Sequence, residues 1–109
     1  MTEPSISEGR VSLPSVLSIR DIADVCGQIR TSLDNNSRVV IDVPPHASID
    51  LSFLQLMDAA RQQAAATGKA VTLARPIDDS VKAVLERAGY LPFERAEDSQ
   101  FWFHKETMQ

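Results

Sequence analysis

Three consecutive β-branched residues, Val39, Val40 and Ile41, run on to Val43 between the turn formers Asp34-Asn35-Asn36-Ser37 and the pair Pro44-Pro45. A short apolar run punctuated in this way suits a strand buried on both faces, the kind found in sheets covered by helices. Ala70-Val71-Thr72-Leu73-Ala74 is a second such run, closed by Arg75-Pro76. What lies between and around these runs has helical spacing. The chain is therefore constrained to alternate strands with helices, which leads to an α/β fold.

The helices carry their own start and stop signals. Ser18-Ile19-Arg20-Asp21 has the form of a capping box, and Ile22, Val25, Cys26, Ile29 and Leu33 follow at helical spacing. From Leu51 to Thr67 the composition is again helical, with Asp50 or Ser48 as cap and Gly68 as stop. Leu51, Leu54, Met57 or Phe53, Ala60 and Ala64 form its expected apolar stripe. Asp78 or Asp79 caps a third helix, lined by Val81, Val84, Leu85 and Ala88 and ended by Gly89. Arg10 to Leu13 alternates like a half-buried strand before Pro14, and Phe101-Trp102-Phe103 is expected to make a last edge strand. The expected architecture is a mixed or mostly parallel sheet of about four strands, packed with three to four helices. It forms one domain over residues 1–109, in which 1–9 is a flexible lead-in or a short edge strand.

Length and composition fit that expectation. A chain of 109 residues can bury a core without disulfides or metal, and 43% hydrophobic residues argue against disorder. Eleven basic against fifteen acidic residues disfavour nucleic acid and anionic membrane surfaces as partners. The single cysteine, Cys26, excludes an internal disulfide and any multi-cysteine zinc site. Its place on an apolar stripe marks it as a small core residue rather than a nucleophile. No apolar run is long enough to span a bilayer, and Met1 to Glu8 lacks the make-up of a signal peptide, so the cytoplasm is the expected address.

Few residues point to chemistry. His46 and His104 lie far apart without second ligands at metal-binding spacing, so no metal and no cofactor is expected. Phosphate-binding glycine motifs and a nucleophile elbow are absent. Asp42, His46 and Ser52 share one region, but nothing in their spacing ensures the nested hydrogen bonds of a triad. The balance is against an enzyme. Phe101, Trp102 and Phe103 would, as a strand, set Trp102 opposite the two phenylalanines, one side covering the core and the other offering an interaction patch. Arg75, Arg87 and Arg95 are expected to be solvated surface charge. Ser52 remains, at the start of a helix that follows a buried strand. A hydroxyl there can cap the helix, or accept a phosphate whose charge the helix dipole favours.

The order Val39-Val40-Ile41-Asp42-Val43, a short loop, then Ile49-Asp50-Leu51-Ser52-Phe53-Leu54 resembles the core of a STAS domain, the fold of the anti-sigma factor antagonists. In that family an apolar strand ends in Asp, and Asp-Ser-Ser-Gly-Leu opens the next helix. The strand Ala70 to Ala74, the helix Ser80 to Ala88 and the closing Ala88-Gly89-Tyr90-Leu91 extend the similarity over roughly Val11 to Phe103. Leu51 stands where the family has its first serine and Phe53 where it has glycine.

The resemblance implies a regulatory domain that binds a serine kinase acting as an anti-sigma factor, or another bacterial signalling protein. Ser52 would be the phosphate acceptor, and His46, Ser48, Asp50, Ser52, Phe53 and Gln55 the partner-binding residues. It also allows a phosphorylation-independent subunit of a lipid-transport ATP-binding cassette complex, or an accessory protein of chemotaxis clusters beside a histidine kinase. Oligomeric state is left open.

Overall fold

The computed structural model describes residues 8–93 and 95–105. Seven elements follow one another: β1 (Glu8–Ser12), α1 (Ile19–Asn35), β2 (Arg38–Asp42), α2 (Leu51–Ala66), β3 (Ala70–Leu73), α3 (Asp79–Arg87) and α4 (Ala96–Phe103). The three strands form one sheet in the order β1-β2-β3, and both pairings are parallel. Among the described residues the sheet thus has three strands rather than about four, and it is parallel throughout rather than mixed. Residues 1–7 of the expected lead-in lie outside the described residues, whereas Glu8 and Gly9 belong to β1.

Strand order follows chain order, so each crossover steps in the same direction. Crossovers of one hand then lay their helices on one face of the sheet. Consistent with this, α1 and α2 pack on each other, α1 over β1 and β2, and α2 over β3. The register sets the core face. Val39 opposes Gly9 and Val71, and Ile41 opposes Val11 and Leu73. Val39 and Ile41 are fully enclosed, and Val11, Val71 and Leu73 are buried beside them. Side chains alternate along a strand, so Arg10, Ser12, Arg38, Asp42 and Thr72 occupy the other face. Val40 is buried there too, but Arg10, Ser12 and Arg38 are exposed.

α1 begins at its predicted capping box. Asp21 Oδ2 accepts hydrogen bonds from both the backbone N–H and the hydroxyl of Ser18, at 2.9 and 3.0 Å. These bonds hold the Asp21 carboxyl below its ordinary pKa. Val25, Ile29 and Leu33 are buried, with Ile22 and Cys26 half-buried against the core. β1 and the end of α1 meet closely at Gly9, where a Cβ would stand 2.6 Å from Asn36 Nδ2.

The largest departure is at the C-terminus. Phe101-Trp102-Phe103 is the last turn of helix α4, not an edge strand. Glu97 and Asp98 lie in the first turn of that helix, where acidic side chains complement its dipole. Helical geometry turns Phe101 and Trp102 inward together, so both are buried and Phe103 is half-buried. The expected interaction patch is part of the core. Trp102 makes edge-on contacts with Phe53, at 6.3 Å between ring centroids, and with Phe101, at 4.9 Å. Arg61 of α2 lies 4.4 Å above the Phe101 ring and pairs with Asp98 at 3.1 Å. These contacts dock α4 against α2, and the Trp102 carbonyl accepts the Ile77 N–H at 3.0 Å.

Candidate functional site

In a parallel sheet every strand exits at the same end, where the N-termini of the following helices also lie. Here Leu13 N–H donates to the Asp42 carbonyl, and Ala74 N–H to the Ile41 carbonyl, at 3.0 and 2.9 Å. The three strands therefore stay paired to their exits. Beyond them, the loop 43–50 is fixed by the backbone of a second segment. Ser48 N–H donates to the Ser15 carbonyl at 2.7 Å, and Leu17 N–H to the Ser48 carbonyl at 2.9 Å. Val16 and Ser48 thus form an isolated parallel bridge that prolongs the β1-β2 pairing past Pro14 and Pro44. Ala47 and Leu17 bury their side chains beneath it.

His46 sits at the tip of the loop with a left-handed backbone, φ 58°. That conformation costs a β-carbon-bearing residue about 1 kcal/mol. It is held by Asp78, whose Oδ2 accepts the His46 N–H at 2.7 Å. The other Asp78 oxygen caps α3 through Ser80 and Val81 N–H. The His46 N–H is the largest influence holding the Asp78 carboxyl below its ordinary pKa.

Asp50 is the N-cap of α2. Its Oδ1 accepts the Ser52 N–H at 3.0 Å and the Ser52 hydroxyl. Ser52 is half-buried, while Asp50 and Gln55 are exposed. His46 and Ser48 are exposed as well. Five of the six partner-binding candidates thus reach the surface around one loop. The sixth does not: Phe53 is fully buried against Trp102 and cannot be an exposed contact. Leu51, expected in the apolar stripe, is 47% exposed. As the first residue of α2 it projects beyond the sheet's end, and Phe53, Leu54, Leu56, Met57, Ala60 and Ala64 make the buried side instead.

Asp42, His46 and Ser52 are drawn to different partners. Arg10 and Arg75 grip Asp42 from β1 and from the exit of β3, at 2.9 and 2.6 Å. Arg75 also donates to the Val43 carbonyl at 3.0 Å. It is therefore a paired group, although its side chain is 52% exposed. The Ser52 hydroxyl turns to Asp50, and the backbone N–H of His46 to Asp78. Between the exits of β2 and β3, Val43, Pro44, Arg75 and Ile77 line a cleft of about 120 Å³, well below the 300–1,000 Å³ of ordinary ligand pockets. Among the described residues, no three His, Cys, Asp or Glu side chains are grouped to hold a metal ion. No described helix is long and apolar enough to cross a membrane.

Two features escaped the sequence. The Asp78–His46 contact is tertiary, and no local pattern announces it. Val16 and Ile19 are exposed apolar residues at this same end. Compared with protein-family models, curated proteins and solved structures, the chain matches none.

Proposed function

We propose that this chain is a small, non-enzymatic regulatory domain that binds a protein partner through the loop 46–49 and the start of α2, in the manner of the anti-sigma factor antagonists. The observation that carries the reading is the setting of Ser52. Its hydroxyl is partly accessible at the N-terminus of a helix that leaves the central strand of a parallel sheet, and it already rests on Asp50. Burial of Phe53 supports the same reading, because the bulky ring at the family's glycine position points away from the surface. A phosphate on Ser52 would meet the N–H groups of the first turn and repel Asp50, altering the surface while leaving the core intact. The partner in this reading is a cytoplasmic serine kinase of the anti-sigma type. Incubation with such a kinase and intact-mass analysis should show one phosphate, absent from Ser52→Ala. Phosphate elsewhere, or none, defeats the switch.

Exposed Leu51 favours a second reading. An apolar residue at the family's first serine suits constitutive contact without phosphorylation, as in a subunit of a lipid-transport ATP-binding cassette complex or a chemotaxis accessory protein. Stable co-purification with a transporter ATPase or a chemotaxis histidine kinase would select it.

A further inference from the structure

The order β1-β2-β3 gives β1 one pairing partner among the described residues. In a parallel ladder, alternate residues turn both N–H and C=O to the same neighbour. Leu13 N–H donates to the Asp42 carbonyl, so Gly9, Val11 and Leu13 address β2. Glu8, Arg10 and Ser12 therefore direct theirs outward. Among the described residues no backbone hydrogen bond meets them on that side. A row of such groups is a template for a further strand.

Space beside this edge is open. Ala23, Gly27, Gln28 and Thr31 of α1 run along it, and between helix and strand lies a cleft of about 570 Å³. A Cβ on Gly27 would meet nothing within 4 Å. Small side chains here leave the edge accessible to another backbone.

The charges of the edge select what pairs with it. Glu8 and Arg10 share one face of β1, two residues apart. Arg38 and Asp42 hold them from the β2 side, yet their side chains stay 51% and 57% exposed. Asp24 is the charged α1 residue at the cleft, about three turns before the helix end that packs on Gly9. Antiparallel pairing of two β1 strands about a two-fold axis at Gly9 sets Glu8 of each copy opposite Arg10 of the other. Both residues face outward, so each such pair exchanges two backbone hydrogen bonds. Gly9 then meets its own counterpart in the closest kind of pair, about 4.5 Å between Cα atoms, where neither copy carries a side chain. An axis at Arg10 would oppose the two arginines, and a foreign strand of uniform charge would meet one like charge in either direction.

We propose that β1 pairs antiparallel with β1 of a second copy, centred on Gly9, joining two three-stranded sheets into one of six strands. The contact is isologous and closes on itself. It uses neither the loop 46–49 nor Ser52, so it stands apart from the proposed partner-binding role.

The test uses the full chain. Sedimentation equilibrium should show a monomer–dimer equilibrium as concentration rises towards about 1 mM. Amide exchange at Glu8 and Arg10 should slow over the same range, while Val71 and Leu73 on β3 stay unchanged. Glu8→Arg and Arg10→Glu each set like charge against like, and each should weaken the dimer at least about tenfold. An equimolar mixture of the two variants should recover it as a heterodimer, because one copy then presents two arginines and the other two glutamates. Urea midpoints show that both variants are folded. A wild type monomeric throughout, Glu8 and Arg10 amides protected at every concentration, a dimer untouched by either reversal, a mixture no stronger than its components, or open-ended aggregates would each overturn the proposal.

Discussion

Asp78 Oδ2 accepts the backbone N–H of His46 at 2.7 Å, so the cap of α3 also fixes the loop that leads into α2. One carboxylate serves two elements 32 residues apart. Asp78→Ala should cost about 1–2 kcal/mol, since the α3 cap and the loop anchor go together. The pH dependence has a defined sign. The folded-state pKa is below the ordinary 3.8, so the contribution is complete above that value and lost as pH falls through the folded pKa. In urea titrations, the gap between wild type and variant should be constant from neutrality to about pH 5 and close in stronger acid.

The Tyr90 hydroxyl donates to Asp58 Oδ2 at 2.9 Å and joins the segment after α3 to the middle of α2. Desolvation, then the bond and charge of Asp58, push the phenol up to about 12 from 10.0. The unfolded chain therefore loses this proton first, and the contribution disappears as pH rises from about 10 to about 12. Tyr90 is the chain's single tyrosine, so ultraviolet absorbance follows it directly. Tyr90→Phe should cost about 1 kcal/mol at neutral pH, and its deficit should shrink across that alkaline window.

Two glycines make opposite predictions for the same change. At Gly9 a Cβ would meet the side chains of Ser32 in α1 and of Asn36 at its C-cap, so Gly9→Ala should destabilise by about 1 kcal/mol as those side chains turn aside and the Asn36–Ser32 hydrogen bond is lost. At Gly27, inside α1, a Cβ meets nothing within 4 Å. Gly27→Ala should stabilise by about 0.5–1 kcal/mol, the helix-propensity difference. Equal effects of the two variants in thermal melts would contradict this packing of α1 on β1.

Asp42 binds Arg10 and Arg75, whose side chains are 57% and 52% exposed. Both guanidinium groups can return to water when the carboxylate is removed. Asp42→Asn should therefore cost less than about 1 kcal/mol, and the loss should fade as salt is added. A large, salt-insensitive loss would place Asp42 in some other role.

Much of the fold is legible in the residues. The run Val39-Val40-Ile41 finds its strand because it is short, β-branched and bounded by turns. α1 finds its start because Ser18 and Asp21 satisfy each other locally. Three features depend on tertiary packing and are not. Phe101-Trp102-Phe103 has strand composition, yet the acidic first turn and the docking of both buried rings against α2 make it helical. Phe53 and Leu51 differ in fate because only the third helical position of α2 turns over the core, whereas the first overhangs its end. At the candidate site, Ser52 and its cap Asp50 follow from local pattern. The tie from Asp78 to His46, and the bridge that carries Val16 to Ser48, join segments about thirty residues apart and leave no periodic trace.

Among the described residues β1 lies at the rim of the sheet with β2 as its pairing partner. The outward edge of such a strand carries amide and carbonyl groups able to recruit foreign strands. Glu8 and Arg10 stand exposed along this rim as alternating charges. Both reach back across the pairing to β2, Arg10 to Asp42 at 2.9 Å and Glu8 to Arg38 at 4.0 Å, so the rim strand is tied to its neighbour by side-chain charge as well as by its backbone ladder.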